Sequence, residues 1–163
     1  MSSTTALEEL QKSSFFSDVS ADDLKKLAEL CLTVEFPEQK KIFEEFALAR
    51  EVYVIVSGEI SLAICEPEVS RKQISVVRAG DLMGWSPLVG RARLYDTART
   101  MTPVKALAFD GNELMKFCAA NPSFGFKFMH LVACTLAERL SSTRLQLLEL
   151  SGAYLPEFQM DTD

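Results

Sequence analysis

"AGDLMGWSPLVGRARLYDTART", residues 79–100, decides the reading of this chain. It has the outline of a phosphate-cradling loop: a Gly80-Asp81 turn, Gly84 four residues on, a short apolar segment, then arginines and threonines. Beside Gly84, where such a loop would carry a carboxylate, stands Trp85. The flanking sequence is strand-like. In "EVYVIVSGEISLAIC", residues 51–65, Val52, Val54 and Val56 share one face and Ile60, Leu62 and Ile64 another, with Ser57-Gly58 breaking the run. "LTVEF", "KKIFEEF", "KQISVV" and "VKALAF" are further β-branched and aromatic runs of strand length, separated by Pro, Gly, Ser and charged residues. So many short strands in about 80 residues predict an antiparallel sandwich or closed β-roll of jelly-roll type, since an open sheet would leave edges exposed.

Helices flank this β region. Ser20, with Asp23 three residues later and then Leu24, Leu27, Ala28 and Cys31, predicts a capped amphipathic helix of about three turns. After Phe109, Asp110 and Glu113 cap a short helix through "ELMKFCAA", and Asn121-Pro122 ends it and starts another. That last helix carries a seven-residue seam of Phe126, Met129, Ala133, Leu136, Leu140, Thr143, Leu147 and Leu150, in alternating steps of three and four. Phe128, Leu131, Val132, Leu145 and Leu148 lie off the seam and are expected to pack on the roll. The seam is expected to pair with a second copy, making a homodimer; the alternative is that both faces are buried in one monomer. One domain is expected over 1–150, with the roll at about 32–109 and the long helix at about 122–150. The remainder, 151–163, is a short tail that either docks Tyr154, Leu155 and Phe158 or stays unstructured.

Composition excludes several functions. The 163 residues are 48% hydrophobic and 25% charged, the profile of a single globular domain with a real core. A net charge of −6 and a pI near 4.9 give no cationic field for DNA or an anionic membrane. No apolar run approaches a bilayer span, and "MSSTTALEEL" lacks the features of a secretory signal, so a cytoplasmic location is expected. Cys31, Cys65, Cys118 and Cys134 form no C-x-x-C pair, and the single histidine, His130, sits in a helical segment; neither a metal nor any other cofactor is expected. An enzyme built on a β-roll needs clustered histidines and carboxylates, and neither that cluster nor a Ser-His-Asp arrangement is present.

The order helix, β-roll, short helix, long helix, together with "EVYVIVSGEI" and "RAGDLMGWSPLV", resembles the cyclic-nucleotide-binding domain family, particularly the bacterial catabolite-activator and FNR type. The likeness spans roughly residues 13–150. The family's Y-x-I-x-x-G-E pattern is matched by Tyr53, Ile55, Gly58 and Glu59. Its G-D-x-F-G-E-L-A-L cassette is matched by Gly80, Asp81, Met83, Gly84, Trp85, Ser86, Pro87 and Leu88. The family's turn glycines on either side of "KIF" fall at Gln39 and Phe46, so those turns are expected to be made differently here.

The resemblance implies a ligand site at Gly84, Trp85, Ser86, Leu88, Arg93, Leu94, Thr97, Arg99 and Thr143, and a dimer interface at Phe126, Met129, Ala133, Leu136, Leu140 and Leu147. The functional positions depart from the family, however. Trp85 replaces the glutamate that holds the ribose hydroxyl, and Leu94 falls where the family's arginine pairs with the cyclic phosphate. Charge-assisted hydrogen bonds are worth about 1.5–3 kcal/mol each, so losing both would weaken a cyclic nucleotide by about two to four decades. Three compensations are open: backbone N–H groups at a short helix opened by Ser86-Pro87, an inward turn of Arg93, or contacts from Thr97, Arg99 and Thr143. Thr143 reads equally as a back-bonded seam residue. The expected protein is a non-catalytic sensor with a modified or degenerate pocket that signals through a protein partner. A ligand-free scaffold closed by Trp85, Leu88, Val89 and Leu94 is the alternative, and direct DNA binding or a membrane role is not expected.

Overall fold

The computed structural model describes residues 3–65 and 71–151. Among them the order is α1 (Ser3–Lys12), α2 (Ala21–Leu30), β1 (Cys31–Phe36), β2 (Lys41–Phe43), β3 (Glu51–Ser57), β4 (Ile60–Cys65), β5 (Arg71–Val77), β6 (Leu82–Met83), β7 (Thr97–Thr100), β8 (Val104–Asp110), α3 (Gly111–Ala120) and α4 (Pro122–Ser151). One sheet runs β1-β8-β3-β6 and the other β2-β7-β4-β5. Every pairing within them is antiparallel. The expected β-roll with flanking helices is therefore the fold. Two short strands, β6 and β7, lie inside the stretch that reads as binding loop in the sequence.

Two apolar layers explain the strand pattern. Val52 and Val54 of β3 pack with Leu107, Phe109 and the helices, while Tyr53 and Ile55 join Ile60, Leu62, Val77 and Ala98 between the sheets. Because β3 lies between β8 and β6 in a sheet covered on both sides, it is buried on both faces and reads as a continuous apolar run. The face expected for Ile60, Leu62 and Ile64 does not persist. A register shift between Leu62 and Ala63 turns Ala63 inward and leaves Ile64 40% exposed. Gly58 makes the β3–β4 turn at φ 91°, where a Cβ would come within 2.4 Å of the Pro103 carbonyl oxygen.

The expected caps form. Ser20 Oγ accepts from the Asp23 N–H at 3.2 Å, and Asp110 Oδ1 accepts from the Asn112 and Glu113 N–H groups at 2.9 and 3.0 Å. Helix α1 has no counterpart in the sequence reading, because from Ala6 to Lys12 only Ala6 and Leu10 are buried. A Glu9–Lys105 ion pair at 2.5 Å ties it to β8.

The turns at Gln39 and Phe46 require a correction. They are not made differently: both residues take left-handed backbone conformations, at φ 60° and 66°, as glycines would. Each is held on both sides. The Gln39 N–H donates to the Thr100 carbonyl and the Phe46 N–H to the Leu94 carbonyl, at 3.1 and 2.9 Å. Arg99 and Arg93 each donate from Nη1, at 2.6 Å, to the carbonyls of Gln39 and Phe46 respectively.

Helix α4 docks at its start and outruns the roll. Phe124, Phe128 and Val132 are buried on one ridge, with Phe128 against Phe15 and Phe124 at ring distances of 6.1 and 5.7 Å. From Ser141 to Glu149 every residue is exposed. Leu145 and Leu148, expected against the roll, are instead 62% and 37% exposed, because the roll does not reach that far along the helix. Seam residues Phe126, Ala133, Leu140 and Leu147 are exposed too, so the seam is not buried within one chain. The side chain of Leu150 and the tail from 152 onward lie outside the described residues.

Candidate functional site

The cassette turns sharply at Gly84. Its φ is 69°, and a Cβ there would lie 2.7 Å from the Glu51 carbonyl oxygen, so β3 and the cassette approach more closely than any side chain allows. Trp85 follows and leads into a 3-10 turn, Ser86–Val89, with Pro87 near its start. Ser86 is the first residue of this turn, and no side chain caps it. The Trp85 indole stacks on Tyr95, with centroids 6.0 Å apart and planes 24° apart.

Trp85 lines a cavity of about 470 Å³ between the open side of the roll and α4. From the roll come Leu62, Val76, Asp81 and Asp96; from α4 come Thr135, Glu138, Arg139, Ser142, Thr143 and Gln146. The helical residues recur every three or four positions, which puts them on one face of α4. Among the described residues, Arg139 is the one cation on this wall. It reaches off the helix to donate from Nη2 to the Leu82 carbonyl on β6. Burial lowers the Arg139 pKa, against the opposing pull of Asp81 and Asp96. Burial also raises the Asp96 carboxyl above its ordinary value, with Arg139 opposing the shift and Glu45 adding to it.

Of the other residues expected at the site, most are placed elsewhere. Leu94 is buried against a different cavity, beside Ile42, Phe43 and Tyr53. Arg93 and Arg99 brace the two left-handed turns. Thr97 is buried, and its hydroxyl accepts from the Glu45 N–H at 3.1 Å. Leu88 belongs to the core beneath the helices. Thr143 does line the cavity, and its hydroxyl donates to the Arg139 carbonyl at 2.9 Å. Sequence reasoning missed Asp81, Asp96 and Arg139 as wall residues. One signal was available for Arg139: it precedes Thr143 by four residues and so shares its helical face.

The site is thus a half-open cavity between a β-roll and one face of a long helix. The family model of the cyclic nucleotide-binding domain matches residues 33–121, more than half of the chain, and the chain belongs to that family. It is 23% identical over 149 residues to the CRP-like cAMP-activated global transcriptional regulator of Mycobacterium tuberculosis, covering 91% of this chain and 65% of that protein. The chain thus spans just under two thirds of that relative's length. Among solved structures, a cyclic nucleotide-binding protein from Geobacter metallireducens matches with TM-score 0.71 and 25% identity, covering 83% of this chain and 98% of that one. A cyclic nucleotide-binding domain from Methylobacillus flagellatus shares the fold with TM-score 0.76 at 18% identity, over 96% of this chain and 86% of that one.

Proposed function

We propose that this chain is a non-catalytic regulatory domain, homodimeric through α4, with a pocket modified away from cyclic nucleotides and an output carried by a protein partner. The observation that carries the reading is the state of Arg139. A cyclic nucleotide needs a cation for its phosphate, and among the described residues the one cation on the cavity wall already gives an N–H to the Leu82 carbonyl and shares its charge with Asp81 and Asp96. The ribose-gripping position holds an indole instead of a carboxylate. Arg93, the substitute phosphate ligand suggested by the sequence, is engaged at Phe46.

The named relative is a cAMP-activated transcriptional regulator, which supports a regulatory role. The net charge of −6 argues against a direct grip on DNA and for transmission through another protein. A ligand-free scaffold is the second reading, favoured by the way Arg139 itself joins α4 to the roll.

Isothermal titration with cyclic AMP and cyclic GMP tests the proposal. The expected dissociation constants lie above about 100 μM, equivalent to binding weaker than about −5.5 kcal/mol. A constant below about 10 μM for either would overturn the modified pocket.

A further inference from the structure

We propose that the cavity between the roll and α4 selects a flat, amino-bearing heterocycle that carries no negative charge, with the carboxylates of its wall, Asp96 among them, setting that preference. This rests on the modified-pocket reading above and names the ligand class for the same site.

Three properties of the wall converge on this class. The first is shape: about 470 Å³ suits one or two fused rings with a small substituent, and Trp85 offers an aromatic surface for stacking. The second is charge. The described wall carries three carboxylates, Asp81, Asp96 and Glu138, against the single guanidinium of Arg139. An anionic ligand therefore enters against a net negative potential, while a neutral or cationic one does not.

The third property is hydrogen-bond polarity. The Thr135 hydroxyl donates to the Leu131 carbonyl at 3.1 Å and the Thr143 hydroxyl to the Arg139 carbonyl at 2.9 Å. With their protons used on the helix backbone, both hydroxyls present only acceptor lone pairs to the cavity. The carboxylates are acceptors as well. Arg139, the strongest donor, spends one N–H on the Leu82 carbonyl. Asp81, Asp96, Glu138, Thr135 and Thr143 thus offer five acceptor side chains, beside the Ser75 and Ser142 hydroxyls and the remaining N–H groups of Arg139, and they are matched by a ligand that carries N–H donors, as amino-substituted ring systems do.

The probes are adenosine and guanosine, which have amino-bearing bases and no charge, against cyclic AMP and cyclic GMP, which have the same bases and one negative charge. Binding is read by calorimetry and by fluorescence of Trp85, the only tryptophan. Each nucleoside is expected to bind at least about tenfold more tightly than its cyclic monophosphate. Asp96→Asn, nearly isosteric, is expected to shrink that ratio by about tenfold, with a gain for the cyclic phosphate. Glu138→Gln, on an exposed helical position, is expected to shift the ratio the same way and serves if Asp96→Asn does not fold.

A ratio near one in the unaltered protein would overturn the proposal, as would a ratio untouched by both substitutions. Silence of both nucleosides up to about 5 mM would also overturn it. Equally weak binding of all four compounds sinks this proposal alone, whereas tight cyclic nucleotide binding sinks the modified-pocket reading beneath it.

Discussion

At the scale of single residues, Gln39 and Phe46 show how a fold keeps a turn after losing its glycine. A left-handed conformation costs a non-glycine residue about 1–2 kcal/mol. Here Arg99 and Arg93 offset that cost by holding the carbonyls of the strained residues. Gln39→Gly is therefore expected to raise unfolding stability by about 0.5–1 kcal/mol, the relief of strain exceeding the added chain entropy. Arg99→Ala is expected to lower it by about 1 kcal/mol. Urea unfolding of the two variants checks both signs, and a destabilised Gln39→Gly would refute the strain argument. This pair also shows what is legible in sequence at this scale. The absent glycines mark two unusual turns, but the reach of a long arginine side chain from segments 47 and 60 residues away is not encoded in local spacing. For the same reason Arg93 and Arg99 read as ligand contacts beside the cassette, although their guanidiniums are turned to the backbone.

At the scale of elements, α4 presents two distinct faces. Thr135, Arg139, Ser142 and Gln146 face the cavity, while Phe126, Ala133, Leu140 and Leu147 lie about a third of a turn around the helix and are exposed. Exposures of 76% at Phe126, 56% at Leu140 and 61% at Leu147 are unusual for such side chains on an isolated soluble domain and favour cover by a second copy. Replacing Leu136 and Leu140 together by glutamate is expected to convert a dimer into a monomer by light scattering at micromolar concentration; an unchanged mass would reject the seam. The seven-residue period is readable from sequence because it depends only on helical geometry. Where the roll stops supporting the helix is not readable, which is why Leu145 and Leu148 read as core residues and yet stand in solvent.

At the scale of the whole molecule, the core between the helical layer and the β1-β8-β3-β6 sheet also shields two thiols. Burial raises Cys31 and Cys118 to about 11 from an ordinary 9.0, so the folded state holds the proton more tightly than the unfolded chain. The resulting stabilisation is fully present below pH 9 and is lost as pH rises towards 11. Melting temperature is expected to fall across that window, and to fall less steeply when Cys31 and Cys118 are both replaced by alanine; equal slopes would refute it. Apart from α1, β6 and β7, the sequence alone determined the order of elements, the caps at Ser20 and Asp110 and the seven-residue period of α4, because each follows from local periodicity and backbone chemistry. The charge of the cavity was decided only by tertiary structure. Asp81, Asp96 and Arg139 come from a turn, a strand edge and a distant helix, and their shared low-dielectric environment exists only once the roll has closed against α4.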